Sequence, residues 1–201
     1  MTNLDKKDAF FHVIDSHRWL AASGCAWNMV GQNGTQKGQF DKDLPNIDVM
    51  VRDCLLLHAR SLIKFCRSSR ARKEDILLSD FRVPAIPPAI DACLDKYEHP
   101  IEVHLLHLTE YRDTAHRKGH PTTAKGKTND RPDWNKETSV IAEKLIFECL
   151  KFASSQSGKW QPPFKELYDA TAARYRDKSH EWPKNLCEKS DVEQHLKSLG
   201  L

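Results

Sequence analysis

No stretch of this chain stays apolar for long. The longest uninterrupted run of note is Cys54-Leu55-Leu56-Leu57, far short of the roughly 20 residues that span a bilayer, so no membrane segment is predicted. Asp5 and Asp8 interrupt the amino terminus, and no signal peptide is expected there. The six cysteines, Cys25, Cys54, Cys66, Cys93, Cys149 and Cys187, form no Cys-x-x-Cys pair. Several fall on apolar helix faces, where a free thiol behaves as a small hydrophobe. That pattern predicts reduced thiols, a cytoplasmic setting and no zinc-finger framework. Excess charge is scarce too: the formal net charge is +3, too little to argue for a nucleic-acid partner by itself. Gly31, Gly34 and Gly38 are clustered. They lack the Lys-Ser/Thr ending and the preceding β-branched strand of a phosphate-binding loop, and read as a flexible connection. There is no convincing strand and no internal repeat.

What remains is helical. Hydrophobic residues make up 39% of the 201 and charged ones 29%, ordinary values for a soluble protein able to bury one core. Phe10, Phe11, Ile14, Trp19, Leu20 and Ala21 recur at helical spacing over Ala9 to Trp27. Pro45 suits a first turn, and Asn46 to Ser68 reads as a long second helix. Its predicted buried stripe is Ile47, Val51, Cys54, Leu55, His58, Leu62 and Phe65, with Asp53, Arg60, Lys64 and Arg67 on the other side. The basic residues Lys64, Arg67, Arg70, Arg72 and Lys73 close it, read first as a solvated helix end and second as a phosphate-contact surface. A short helical or turn segment over Asp75 to Phe81, a helix over Ala89 to Glu98 and another opened by Pro100 follow. From Asp113 to Asp133 periodicity is lost, and this loop is read as mobile rather than as a formed site. Asp133 caps a helix over Trp134 to Ser154. Pro162 and Pro163 start another over Phe164 to Lys178, and Ser190 with Glu193 forms a capping box before a terminal helix. The prediction is an all-α chain: a helical bundle of about five main helices over 1–158, with a helical carboxy-terminal extension over 159–201 packing on it.

The stretch His99 to Arg112 draws attention within this plan. Ile101, Val103, Leu105, Leu106 and Leu108 surround most of a helix circumference, predicting a buried central helix. It nonetheless carries His104 and His107 on one face, with Arg112 close to the same stripe. A buried imidazole needs a hydrogen-bond partner, so these positions are either core histidines satisfied by a neighbouring helix or functional groups.

Three phrases carry a resemblance: His58-Ala59-Arg60-Ser61-Leu62-Ile63-Lys64-Phe65, Asp75-Ile76-Leu77-Leu78-Ser79-Asp80-Phe81, and His104-Leu105-Leu106-His107-Leu108-Thr109-Glu110-Tyr111-Arg112. Their order is similar to that in a group of small bacterial proteins, and the arrangement resembles the HEPN superfamily over roughly Asn46 to Phe152. That superfamily comprises helical bundles of toxin–antitoxin, phage-defence and RNA-processing systems. The resemblance implies metal-independent RNA cleavage with no cofactor, typically at a composite site in a homodimer. Its hallmark is Arg, often followed by Asn, Asp or His, then His after four to six intervening residues. Arg52-Asp53 through His58 fits it, and Arg174 to His180 fits the bare spacing. Arg112 to His116 is one residue short and Arg112 to His120 one too long. Six residues along a helix turn about 120° around the axis, so Arg52 and His58 do not share a face.

Ribonuclease chemistry needs a base for the ribose 2′-hydroxyl, an acid for the leaving oxygen and a cation facing the phosphorane. The candidates are His104, His107 and Arg112, with His58 and Arg52 from the second helix. Lys64, Arg67, Arg70, Arg72 and Lys73, with Arg117 and Lys118 from the loop, are the candidates to hold the RNA backbone. An alternative is a non-catalytic module that binds a protein partner and asks only packing of the histidines. A third is a metal site built from His99, His104, His107, His116 and His120, although no acidic residue shares the helix face.

Overall fold

The computed structural model describes residues 3–31, 34–36, 38, 44, 46–67, 75–106, 132–156, 158–176 and 181–201. Within these the chain is an all-α helical bundle with no strand. Its elements are α1 (Asn3–Val30), α2 (Ile47–Cys66), a 3-10 turn (Leu78–Phe81), α3 (Pro88–Leu106), and α4 (Trp134–Glu143). A π-helical stretch (Lys144–Leu150), α5 (Lys151–Ser155), α6 (Gln161–Arg176), a 3-10 turn (Lys184–Leu186) and α7 (Lys189–Ser198) complete them. No described helix is long and apolar enough to cross a membrane. All six cysteines are free thiols.

α1 is longer than its sequence pattern suggested. Phe10, Val13, Ile14, Leu20, Ala21, Trp27 and Val30 are all buried along it, a continuous stripe that lies against α2 and α6. Tertiary burial of this kind, each large side chain contributing about 1.5–3 kcal/mol, extends helices beyond local propensity. Gly24 lets α6 approach closely: a Cβ there would sit 2.4 Å from Tyr175 Cε2.

Five aromatic rings form the nucleus of the core. Phe10, Phe65, Phe81, Trp160 and Phe164 meet at centroid distances from 4.8 Å (Phe81–Trp160) to 6.4 Å (Phe65–Phe164), mostly tilted or edge-on as ring quadrupoles favour. Phe81 is delivered by the 3-10 turn expected near 75–81, where Leu77 N donates to Asp80 Oδ2 at 2.9 Å. Trp160, Phe164, Leu167, Val192 and Leu196 belong to the same buried cluster as the helices before residue 158. The chain on either side of that residue therefore shares one core.

Several sequence expectations are corrected. The two helices predicted on either side of Pro100 are one, α3, with Pro100 inside it. Proline removes the bond to the carbonyl of Lys96, but Leu94, Tyr97 and Ile101 are buried on one stripe and hold the helix through the break. The predicted α2 stripe holds at Leu55, Leu62 and Phe65, and Leu56, Ala59, Ile63 and Cys66 are buried with them, whereas Ile47, Val51, Cys54 and His58 are only half-buried. The Trp134–Ser154 helix contains the π-helical stretch, although Asp133 does cap it, accepting from Asn135 N at 3.2 Å. α7 starts at Lys189 without a side-chain cap, so the Ser190–Glu193 capping box is not formed. Lys189 Nζ instead ties this helix to Asp8 of α1 at 2.6 Å.

Candidate functional site: the α2–α3 seam

α2 and α3 run antiparallel, and the polar stripe of α2 faces a row of acids on α3. Arg67, at the end of α2, lies among three carboxylates: Asp95 at 2.8 Å, Asp91 at 3.5 Å, and Glu98. One to two turns earlier, Glu102 accepts from Arg60 Nη2 at 2.8 Å and from Lys64 Nζ at 2.9 Å. Hydrogen bonding from Lys64, with that from Arg60, outweighs burial and holds the Glu102 carboxyl below its ordinary range. For Arg67, burial works against the cation but Glu98, Asp95 and Asp91 prevail and raise its pKa. These acids recur at i, i+4, i+7 and i+11 and so share one face of α3. The residues named from sequence as a solvated helix side, Asp53, Arg60, Lys64 and Arg67, are thus the second helix's half of an interhelical ion ladder.

The ladder ends in a different chemistry. His104 Nε2 lies 3.0 Å from Asp53 Oδ1, and Arg52 reaches the same oxygen through Nε and Nη2, each at 3.2 Å. Burial raises the Asp53 pKa, but the bonds to His104 and Arg52 overcome it and leave the carboxyl below its usual value. A carboxylate only accepts, so His104 donates from Nε2 and its neutral form keeps the lone pair at Nδ1. The imidazole also lies against the buried Trp134 ring, centroids 5.4 Å apart. His104 is therefore neither a plain core histidine nor an isolated surface group: its side chain is 13% exposed and oriented by a charged partner.

The other sequence candidates separate. His58 faces α1, stacked on Trp19 with an interplanar angle of 13°. Burial lowers its pKa, with Asp15 opposing. Arg52 and His58 thus face different neighbours, as their six-residue spacing requires. Lys64 and Arg67 are described, and both cations are engaged by carboxylates. His107, Arg112, Arg70, Arg72, Lys73, Arg117 and Lys118 lie outside the described residues, as do His116, His120 and nearly all of the loop expected over Asp113 to Asp133. His99 is exposed. Among the described residues no group of three or more His, Cys, Asp or Glu is placed to hold a metal ion.

Sequence reasoning missed Asp53 as a site residue, although it occupies the acidic second position of the Arg-to-His match. It also missed the acidic stripe on α3, whose i, i+4, i+7, i+11 spacing is legible once Pro100 is allowed inside a helix. Comparison with protein-family models, with curated proteins and with solved structures finds no match for this chain.

Proposed function

We propose that the protein acts on RNA as a metal-independent ribonuclease of the HEPN-like kind its sequence resembles, with His104 as a proton-transfer group. The observation that carries this reading is the single Asp53 oxygen shared by His104 at 3.0 Å and Arg52 at 3.2 Å. A carboxylate that fixes the Nε2–H tautomer presents Nδ1 as the base for a ribose 2′-hydroxyl. The Arg52 guanidinium keeps N–H groups beyond those used on Asp53, in a planar fork suited to phosphate oxygens. The leaving 5′-oxygen needs a proton, for which the sequence candidate is His107, three residues further along. Incubation with a mixed RNA pool in EDTA tests this. Cleavage by wild type to cyclic-phosphate ends, lost in a folded His104→Ala variant, supports it; intact RNA with folded wild type contradicts it.

The second reading is a non-catalytic protein-interaction module. What favours it is the state of the α2 cations: Arg52, Arg60, Lys64 and Arg67 are all ion-paired within the chain. Charges committed in this way contribute little to phosphate binding. Intact RNA in the same assay moves the assignment to this reading.

A further inference from the structure

Two cysteines from distant parts of the chain meet in the core. Cys66 is the last residue of α2, and Cys149 lies in the π-helical stretch Lys144–Leu150, which packs on α2. They are 4% and 0% exposed; both are free thiols, and both belong to the main core cluster. The two side chains are hydrogen-bonded to each other, and that bond, together with burial, pushes the Cys66 thiol well above its ordinary pKa. A buried thiol usually serves as a small hydrophobe among apolar neighbours. Here one thiol lies on another from a separate element, a contact that is weak as a hydrogen bond and strong once covalent. The local backbone suits that conversion. A π-turn is wider than an α-turn and recurs where a helix does more than pack. Arg67, directly after Cys66, is extended (φ −71°, ψ 150°), so no further helical turn holds the end of α2.

We propose that Cys66 and Cys149 close an internal disulfide when the folded chain meets a peroxide, tying the end of α2 to the π-helical stretch. The peroxide oxidises one thiolate to a sulfenic acid and departs as water. The second sulfur then attacks that sulfenic sulfur, forming the S–S bond and expelling hydroxide, which takes up the remaining thiol proton and leaves as water. Two thiols and one peroxide thus give one disulfide and two waters. The thiolate is the reacting form, so a thiol that holds its proton tightly reacts slowly at neutral pH and faster as pH rises. The pair answers sustained oxidant rather than a brief pulse. Its product fixes the helix end that carries Arg67, the residue shared by three carboxylates of α3. It also restricts the unfolded chain, which makes the oxidised form the more heat-stable one. This inference does not depend on the ribonuclease reading.

Treating the folded full chain with hydrogen peroxide at mildly alkaline pH tests the proposal. Remaining thiols are alkylated, the chain is digested without reductant, and the peptides are mapped by mass spectrometry. The expected result is a Cys66–Cys149 linked pair, lighter by two hydrogens than the separate peptides, and a melting midpoint raised by roughly 5 °C or more. Dithiothreitol should reverse both, and Cys149→Ala should show neither. No linked pair from folded wild type, or a linked pair only when oxidation is carried out in urea, overturns the proposal. So does a linked pair with an unchanged midpoint, or a midpoint shift that survives in Cys149→Ala. If that variant does not fold, the wild-type map decides: absence of the linked pair overturns the proposal.

Discussion

Asp53 of α2 and His104 of α3 meet across 3.0 Å at the point where the interhelical ion ladder ends. Below them along the seam, the described ion pairs each join an α2 cation to one or more acids of α3 and help to hold the helices together. At Asp53 the partner becomes a titratable imidazole, and Arg52 is drawn to the same oxygen. The imidazole is thus oriented across two helices, the placement that the proposed proton-transfer role needs.

Arg67 meets three carboxylates, more than any other described cation of the ladder. Replacing it with Met leaves Asp91, Asp95 and Glu98 facing one another without a counter-charge. Since these groups are partly exposed, the cost is about 1–3 kcal/mol, discounted for solvent screening. Urea denaturation should show that loss at low ionic strength and a smaller one in high salt. A loss that ignores salt would mean that Arg67 acts by packing alone.

Acid sensitivity should trace to His17. Its ring is 1% exposed, its Nδ1 lies 2.8 Å from the Val13 carbonyl oxygen, and burial lowers its pKa from 6.5 to about 4. A depressed folded value means that the unfolded chain binds the proton more readily below pH 6.5. The stabilisation is therefore complete above that pH and is lost as pH falls towards 4, by about 3 kcal/mol. Melting curves of wild type and His17→Leu should diverge in slope across this window, with the variant flatter. Parallel curves would place the acid sensitivity elsewhere.

Gly24 offers a test of the α1–α6 packing with an unusual sign. In an exposed helix, Gly→Ala stabilises by up to about 1 kcal/mol. Here the new methyl would lie 2.4 Å from Tyr175 Cε2, so Gly24→Ala should destabilise by about 1–3 kcal/mol. Trimming Tyr175 to Leu should reduce that penalty in the double variant. A stabilising Gly24→Ala would show that the helices are further apart than described.

Much of this architecture was legible in the sequence because it rests on periodicity. The helices α1, α2 and α6, the Asp133 cap and the lack of any strand among the described residues all follow from local spacing and end signals. What was not legible depends on neighbours. Pro100 marks a helix start by local rules, yet Leu94, Tyr97 and Ile101 bury together and carry α3 through it. On α2, Leu55, Leu62 and Phe65 were placed on the buried face, but Val51, Cys54 and His58 fit a helical face as well as Leu56, Ala59 and Ile63 do. Only packing against α1 separates them. Asp53, Arg60, Lys64 and Arg67 look like a solvated face until the acids of α3 lie opposite. His104 was singled out correctly as a histidine needing a partner, but local spacing along α3 could not name Asp53, 51 positions earlier in the chain.

The most direct test of the central claim is a double-mutant cycle on RNA cleavage, in EDTA, with Asp53→Asn, His104→Ala and the double variant. If Asp53 acts by orienting His104, each single change should slow cleavage by roughly 100-fold or more. The double variant should then be hardly slower than His104→Ala, because groups that act as a unit are not additive. Full activity in Asp53→Asn, independent additive losses, or no cleavage by the folded wild type would contradict the account.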